Sequence, residues 1–340
     1  MQKELSNGPL LNEQGNLTEG GYAFSLVKEY HREAIKAKAG RIKEWDYYYV
    51  GNSKYGIAIT IADNSYMGMG SVSFLDFVNK KDITKSVIKL FTKGKLNMPS
   101  TSVVGDSFFQ TKKLQISFKH ENNKRHLVIN YKNFDNKNTL RADLYLSETN
   151  EGSMVIATPF SKDKHFYYNQ KINLLKSAGY VKIGEEVYDF NNDTFGVLDW
   201  GRGVWTYKNT WYWSSMNGIY KGKRIGFNLG YGFGDTSNAS ENMFFYDDKA
   251  YKLEDVRFDI PISSRGKDDF LKEWKFRSST KDINITFTPI LNRHANMNLL
   301  ILQSLQNQVF GTFTGYVLID GKEIYFEDVP GFAEKVKNKW

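Results

Sequence analysis

The chain contains no cysteine. That excludes disulfides, thiolate nucleophiles and cysteine-ligated zinc or iron–sulfur centres. Long apolar runs are also missing: none approaches the ~20 residues that a membrane-spanning helix requires. The opening Met1-Gln2-Lys3-Glu4-Leu5-Ser6-Asn7 lacks the apolar core of a secretory signal. Both absences lead to the expectation of a soluble, cytoplasmic protein with no integral membrane segment. Lys and Arg total 46 against 38 acidic residues, a formal net charge of +8. The basic residues are dispersed, however, and no block of five or six like charges stands out. Nucleic acid is therefore not an expected partner. The sequence sets no oligomeric state.

Several chemical signatures are absent as well. The five histidines are scattered and form no HExxH pair, so no metal site is expected. There is no GxSxG elbow, which excludes an α/β-hydrolase. There is no GxxxxGK[ST] loop either, so the glycine-rich run 230–234 reads as a bulged strand or loop. No cofactor is expected.

Aromatic residues are abundant: 24 Phe, 21 Tyr and 7 Trp, or 15% of the 340 residues. Hydrophobic residues at 41% and charged residues at 25% mark a folded chain rather than a disordered one. At roughly 150 residues per domain, the length predicts two domains.

Helical periodicity is scarce. The spacing of Phe24, Leu26, Val27, Tyr30, Ala34 and Ile35 predicts one short helix within 22–39, and 266–274 predicts another turn or two. Elsewhere the pattern alternates between turn residues, as in Tyr47–Val50, Tyr55–Ile61, Ser71–Val78, Leu114–His120, Leu127–Tyr131 and Leu140–Leu146. Leu114–His120 and Leu127–Tyr131 read as a hairpin through Glu121-Asn122-Asn123-Lys124. With no βαβ alternation, the expected class is all-β, an antiparallel barrel or sandwich. One internal echo joins Gly179–Phe190 to Gly315–Phe326, each a strand, tight turn and strand. Asp320-Gly321 is a strong two-residue hairpin signal. The two copies are expected to open and close one barrel. The boundary is placed near residue 178, giving domains 1–178 and 179–340.

The densest segment runs from Phe195 to Asn242. It holds Asp199, Trp200, Arg202, Trp205, Trp211, Trp213, Glu241 and Asn242. Side chains alternate along a strand, so Trp211 and Trp213 share one face. If that face points into the second barrel, the indoles wall an apolar cavity beside Asp199 and Arg202. An aspartate in such a site is a candidate general acid, unless Arg202 pairs with it. The same rings could equally be core packing, and the same charges a structural ion pair.

At these residues the chain resembles the domain-of-unknown-function 2804 family. The motifs are Leu10–Gly15, Lys43-Glu44-Trp45-Asp46-Tyr47-Tyr48, Ile61–Tyr66, Leu198–Trp205, Asn228-Leu229-Gly230, Glu241-Asn242, Gln308–Gly315 and Trp340. More distantly, Asp199-Trp200-Gly201 followed by Trp211-Tyr212-Trp213 and the turn Asn217-Gly218 is similar to the carotenoid hydratases and tocopherol cyclase. That likeness implies two lipocalin-like antiparallel barrels in tandem, with Asp199 as acid and Trp200, Trp211 and Trp213 in the cavity wall. This sequence lacks the longer Asp-His-containing form of the motif, and Arg202 interrupts it.

The expected function is binding of a small apolar ligand (lipid, isoprenoid or pigment-like) in an aromatic-lined barrel, with or without acid-catalysed isomerase, hydratase or cyclase chemistry. Aromatic faces near an acid suit a cationic intermediate. Asp199 and Arg202 are the catalytic candidates; Trp45, Trp200, Trp205, Trp211, Trp213, Glu241 and Asn242 are the ligand-binding candidates. The alternative is a carbohydrate-active or glycan-binding protein, because Trp and Tyr also stack on sugars. The interior of the second barrel is the place to look: a cavity there supports the first reading, a solid core opposes it.

Overall fold

The computed structural model describes residues 2–121, 123–149, 152–299 and 302–339. Met1, Asn122 and Trp340, which entered the sequence reading, lie outside them. The regular structure is almost entirely antiparallel strand. It forms two curled sheets of thirteen and nine strands among the described residues, with a short two-stranded pair formed by Gly8–Pro9 and Lys28–Glu29. No helix of the described residues is long and apolar enough to cross a membrane.

The first sheet is built from meanders. Lys43–Gly51, Tyr55–Asp63, Met67–Asp76 and Lys81–Leu90 pair in succession, as do Ser107–Gln110, Leu114–Glu121, Lys124–Asp135, Asn138–Ser147 and Phe166–Ile183. The last strand, Phe195–Val204, returns to lie between Lys43–Gly51 and Phe166–Ile183. Period-two alternation supplies the inner face: Leu114, Ile116 and Phe118, then Leu127, Ile129 and Tyr131, then Leu140, Ala142, Leu144 and Leu146 are all buried. The hairpin expected at 114–131 is present, with Leu127 opposite Phe118.

The second sheet starts at Lys208–Tyr220. It pairs on one side with Lys223–Tyr231 and on the other with Lys322–Lys339, which in turn pairs with Leu302–Ile319. At one of its two-residue hairpins Asp320 and Gly321 have φ of 49° and 75°. Both central residues in the left-handed region make a type I′ turn, whose twist matches the flanking strands. The earlier echo, Phe166–Ile183 with Glu186–Asp189, is also a hairpin. The two echoes nevertheless belong to different sheets, so they do not jointly close one barrel. Residue 178 falls inside Phe166–Ile183, and the sheets themselves change over at residues 205–207.

Neither expected helix forms. Within 22–39 the chain is an extended strap with one 3₁₀ turn, Arg32–Ala34, and a second, Ala39–Arg41, starts at its end. Its backbone is satisfied by tertiary partners: Tyr22 N–H donates to the Lys3 carbonyl, and Lys28 N–H donates to Tyr168 Oη at 3.2 Å. Tyr30 and Ile35 are buried by docking on the first barrel, not by a helical stripe. Segment 266–274 is a turn around Gly266, whose φ is 70°, before Trp274–Arg277 joins the sheet. Tertiary pairing overrode a weak 3.6-residue period.

Two strands explain where the site lies. Every residue of Phe195–Val204 is buried, and nearly every residue of Lys43–Gly51. Such a pattern requires cover on both faces. Tyr48, Val50, Leu198, Trp200 and Val204 face the first barrel's interior. Tyr47, Tyr49 and Val197 face outward, onto Trp213, Phe310 and Phe332 of the second sheet. The candidate site lies along this seam.

Candidate functional site

Register places two rows of side chains opposite each other. On the first sheet, Tyr47 pairs with Asp199 and Asp199 with Lys171, while Trp45 pairs with Gly201. On the second, Trp213 pairs with Glu334 and Glu334 with Gln308. Between the rows lies a cleft of about 190 Å³. Trp45, Tyr47, Tyr167, Lys171 and Asp199 line it from the first sheet. Trp211, Trp213, Phe233, Glu241, Arg293, Gln308 and Glu334 line it from the second half, and Trp205 lines it from the linker.

Its aromatic end is tightly organised. Trp45 stacks on Tyr167 with ring centroids 5.8 Å apart and planes 10° apart, and meets Trp205 edge-on at 5.2 Å. Phe233 packs edge-on against Tyr167, Trp205 and Trp211. Phe233 sits in the glycine-rich run, between Gly232 at φ 93° and Gly234 at φ 77°. The run, expected as a bulged strand or loop, leaves the strand Lys223–Tyr231 as a loop from Gly232 onward, and it delivers a ring to the cleft. Gly201 leaves the floor clear for Trp45, since a Cβ there would overlap the indole. Gly201→Ala is therefore expected to displace Trp45 and reduce the near-ultraviolet circular dichroism of the Trp45–Trp205 pair, with the far-ultraviolet β spectrum kept. An unchanged near-ultraviolet spectrum would count against this packing.

The polar end is an ionic and hydrogen-bonded network. Lys171 Nζ lies 3.5 Å from Asp199 Oδ2, 3.8 Å from Glu241 Oε2 and 3.8 Å from the centroid of the Trp213 ring. Asn169 Nδ2 donates to Asp199 Oδ1 at 2.6 Å. Glu334 accepts from Trp211 Nε1 at 2.9 Å and from Gln308 Nε2 at 3.1 Å. Gln308 Nε2 also lies 3.2 Å from Tyr47 Oη. Burial pushes the Glu334 carboxyl up to about 7, with Asp199 adding to the rise against the opposing pull of Trp211, Lys171 and Arg293. Burial raises Glu241 too, against Lys171. It also raises the Tyr47 and Tyr167 phenols, which stay neutral. Below about pH 7 the cleft therefore holds a carboxyl group that still carries its proton, at the edge of an aromatic wall.

Of the residues picked from sequence, Trp45, Asp199, Trp205, Trp211, Trp213 and Glu241 meet in this cleft. Three do not. Arg202 and Trp200 project from the opposite face of their strand, because they lie three positions and one position from Asp199 and side chains an odd number of positions apart point to opposite sides. Arg202 Nη1 donates to Asp46 Oδ1 at 3.0 Å, its Nη2 donates to the Pro99 carbonyl at 2.8 Å, and its guanidinium carbon lies 4.3 Å from the Trp200 ring centroid. The expected Asp199–Arg202 pair is thus replaced by Asp199–Lys171 and Arg202–Asp46. Asn242 supports the site from behind: its Oδ1 accepts from Gly230 N–H at 2.8 Å, and its Nδ2 donates to the Glu254 carbonyl at 2.6 Å. A Cβ on Gly230 would sit 2.7 Å from the Glu241 carboxyl, so a larger residue there would displace that carboxyl.

The cavity is also not where it was expected. The second half is filled by Phe227, Phe244, Trp274, Phe276, Phe287, Phe313 and their neighbours. Its core is packed, and the cleft lies between the halves. Sequence reasoning missed Lys171, Glu334 and Gln308 as site residues. Lys171 sits as a lone charge in the buried stretch Tyr167–Leu175, and Glu334 is the buried charge of Gly331–Val336, beside the half-buried Lys335. A buried charge is costly unless paired, and that was the available signal.

A family model described as Domain of unknown function (DUF2804) matches residues 2–340. No curated protein sequence matches the chain. Among solved structures, the chain is similar to kievitone hydratase from Nectria haematococca, with a TM-score of 0.51 and 12% identity over 98% of each chain. It is also similar to a protein assigned as AttH from Nitrosomonas europaea, with a TM-score of 0.51 and 12% identity over 88% of this chain and 92% of that one. At such identities the likeness establishes the fold, two lipocalin-like halves in tandem.

Proposed function

We propose that this chain, which belongs to the DUF2804 family, binds a small apolar molecule between its half-barrels and protonates it from Glu334. The observation that carries this reading is a buried carboxyl raised to about 7 in the wall of an aromatic cleft. A volume of about 190 Å³ suits a ring-sized group; for scale, an apolar cavity of ~150 Å³ holds benzene. Glu334 would give its proton to one carbon of a carbon–carbon double bond. The cation left on the other carbon would face Trp45, Trp211 and Trp213, whose rings stabilise positive charge. Water attack would form the carbon–oxygen bond, and its released proton would pass to Asp199 and, through solvent, back to Glu334. One fold neighbour is named as a hydratase, which supports this class of reaction.

Two measurements test the reading. Native mass spectrometry of the protein purified from its own host should show an apolar adduct that Trp45→Ala loses. When the extracted adduct is incubated with the protein in deuterated water, the wild type should add one water or exchange carbon-bound hydrogen for deuterium. Glu334→Gln should do neither. Absence of an adduct, or a sugar in its place, overturns the apolar-ligand reading. Equal incorporation by Glu334→Gln overturns the role of the acid.

A further inference from the structure

Next to the cleft, but outside it, is an open groove of about 700 Å³ bordered by Arg32, Ile35, Gly40, Tyr66, Phe91 and Lys93. Its rim carries Leu90 and Phe91, consecutive at the end of Lys81–Leu90 and 72% and 66% exposed. Isolated exposed apolar residues are ordinary. These two differ because the backbone is bent to present them. Phe91 has φ of 55°, an outlier for a bulky side chain, and Lys93, Gly94 and Asn97 follow at 52°, 87° and 50°. The turn is anchored rather than loose: Phe91 N–H donates to the Tyr66 carbonyl and Lys93 N–H to the Ser65 carbonyl, both at 2.8 Å.

Charge gathers at the same place. Lys36, Lys38, Lys93 and Lys95 are exposed in the two segments that flank the groove, with Arg41 half-buried beside them, while the half-buried Arg32 pairs with Glu44. Glu33 is the acid among the groove residues. Apolar tips ringed by long flexible cations suit a lipid surface, because the tips enter the acyl boundary while the ammonium groups meet headgroup phosphates. An acidic protein would satisfy the lysines but give Leu90 and Phe91 no burial of its own.

We propose that this groove and the Leu90–Phe91 turn dock the protein on an anionic lipid bilayer. The groove also adjoins the cleft. Lys43 Nζ lies 4.6 Å from the centroid of the Tyr66 ring, on the groove side, and 5.2 Å from that of Trp205, on the cleft side. Lys43, Tyr66 and Trp205 form the partition between them. An apolar molecule drawn from the bilayer would reach the cleft by displacing this partition; that last step rests on the ligand reading above, whereas the docking does not.

The test is co-sedimentation of the full chain with vesicles of phosphatidylcholine alone or mixed with phosphatidylserine. The protein should pellet with the mixed vesicles and not with phosphatidylcholine. Binding should fade as salt shortens the Debye length from ~10 Å at 0.1 M to ~3 Å at 1 M. Phe91→Gly removes the ring and suits the left-handed backbone, so it should fold as the wild type does and bind about tenfold more weakly. Charge reversal by Lys93→Glu with Lys95→Glu should weaken binding to a similar degree. No binding to phosphatidylserine vesicles, or binding that Phe91→Gly leaves unchanged, overturns the proposal. So does capture by soluble heparin with an equal tolerance of Phe91→Gly. Because the assay uses vesicles without the unidentified ligand, failure of the cleft chemistry leaves its result intact.

Discussion

Replacing Arg202 with methionine is expected to lower folding stability by about 3–5 kcal/mol, the usual cost of removing one partner from a buried ion pair. The guanidinium is fully buried and is held on several sides at once. It donates to Asp46 Oδ1 at 3.0 Å, to the Trp45 carbonyl at 2.8 Å and to the Pro99 carbonyl, with Glu44 Oε1 4.0 Å from its Nε. Methionine fills a similar length and keeps contact with Trp200 but satisfies none of these groups. Asp46 would retain Ser107, and Glu44 would retain Tyr30 and Arg32, leaving each carboxylate under-compensated in a dry interior. The measurement is the urea midpoint at constant slope. Adding Asp46→Asn to the Arg202→Met variant should recover part of the loss, because it removes the charge left unpaired. A loss below about 1 kcal/mol would mean that Arg202 is not structural, since changes of that size are typical of ordinary sites.

Glu334→Gln should change the pH dependence of stability as much as it changes chemistry. In the unfolded chain this carboxyl titrates near 4.5; in the folded protein burial moves it to about 7. Between those values the folded state holds a proton that the unfolded state has released, so stability falls as pH rises. The stabilisation is complete below about 4.5 and lost by the time pH passes 7, a change on the order of 3 kcal/mol. Glutamine cannot ionise and still accepts from Trp211, so the variant should lack this decline: close to wild type at low pH, more stable at pH above 7. Glu241 is shifted in the same direction and remains in the variant, so part of the slope persists. Lys252, which burial lowers to about 7, acts with the opposite sign above that pH and is common to both proteins. Identical pH profiles for variant and wild type would show that Glu334 titrates normally, and would remove the basis for its role as acid.

Much of the architecture is written locally. Leu114–Glu121 and Lys124–Asp135 alternate buried and exposed residues because one face meets the core, and that pattern predicts strand and hairpin together. Asp320-Gly321 names its own turn, since few residues accept the two positive φ values. The aromatic cluster could be located for the same reason: Trp211 and Trp213 lie two apart on one strand, and both reach the cleft. The extended strap at 22–39 was illegible because its hydrogen-bond partners, Lys3 and Tyr168, are distant in sequence.

What the chain's composition and local pattern settled is an all-β fold dense in aromatic rings, with no thiol chemistry. Alternation and turn residues act over a few positions, so neighbours are enough to specify them. Which side chains form the site depended on strand register between segments distant in sequence, such as Tyr47 with Asp199 and Trp213 with Glu334. Tyr47, Lys171 and Asp199 face Glu334 and Gln308 only because two sheets pack along one seam. The same register turned Arg202 away from Asp199 and made it a buried strut. A one-residue change of register reverses every side chain of a strand, so the partners of a charged residue there are decided by tertiary pairing and not by its sequence neighbours.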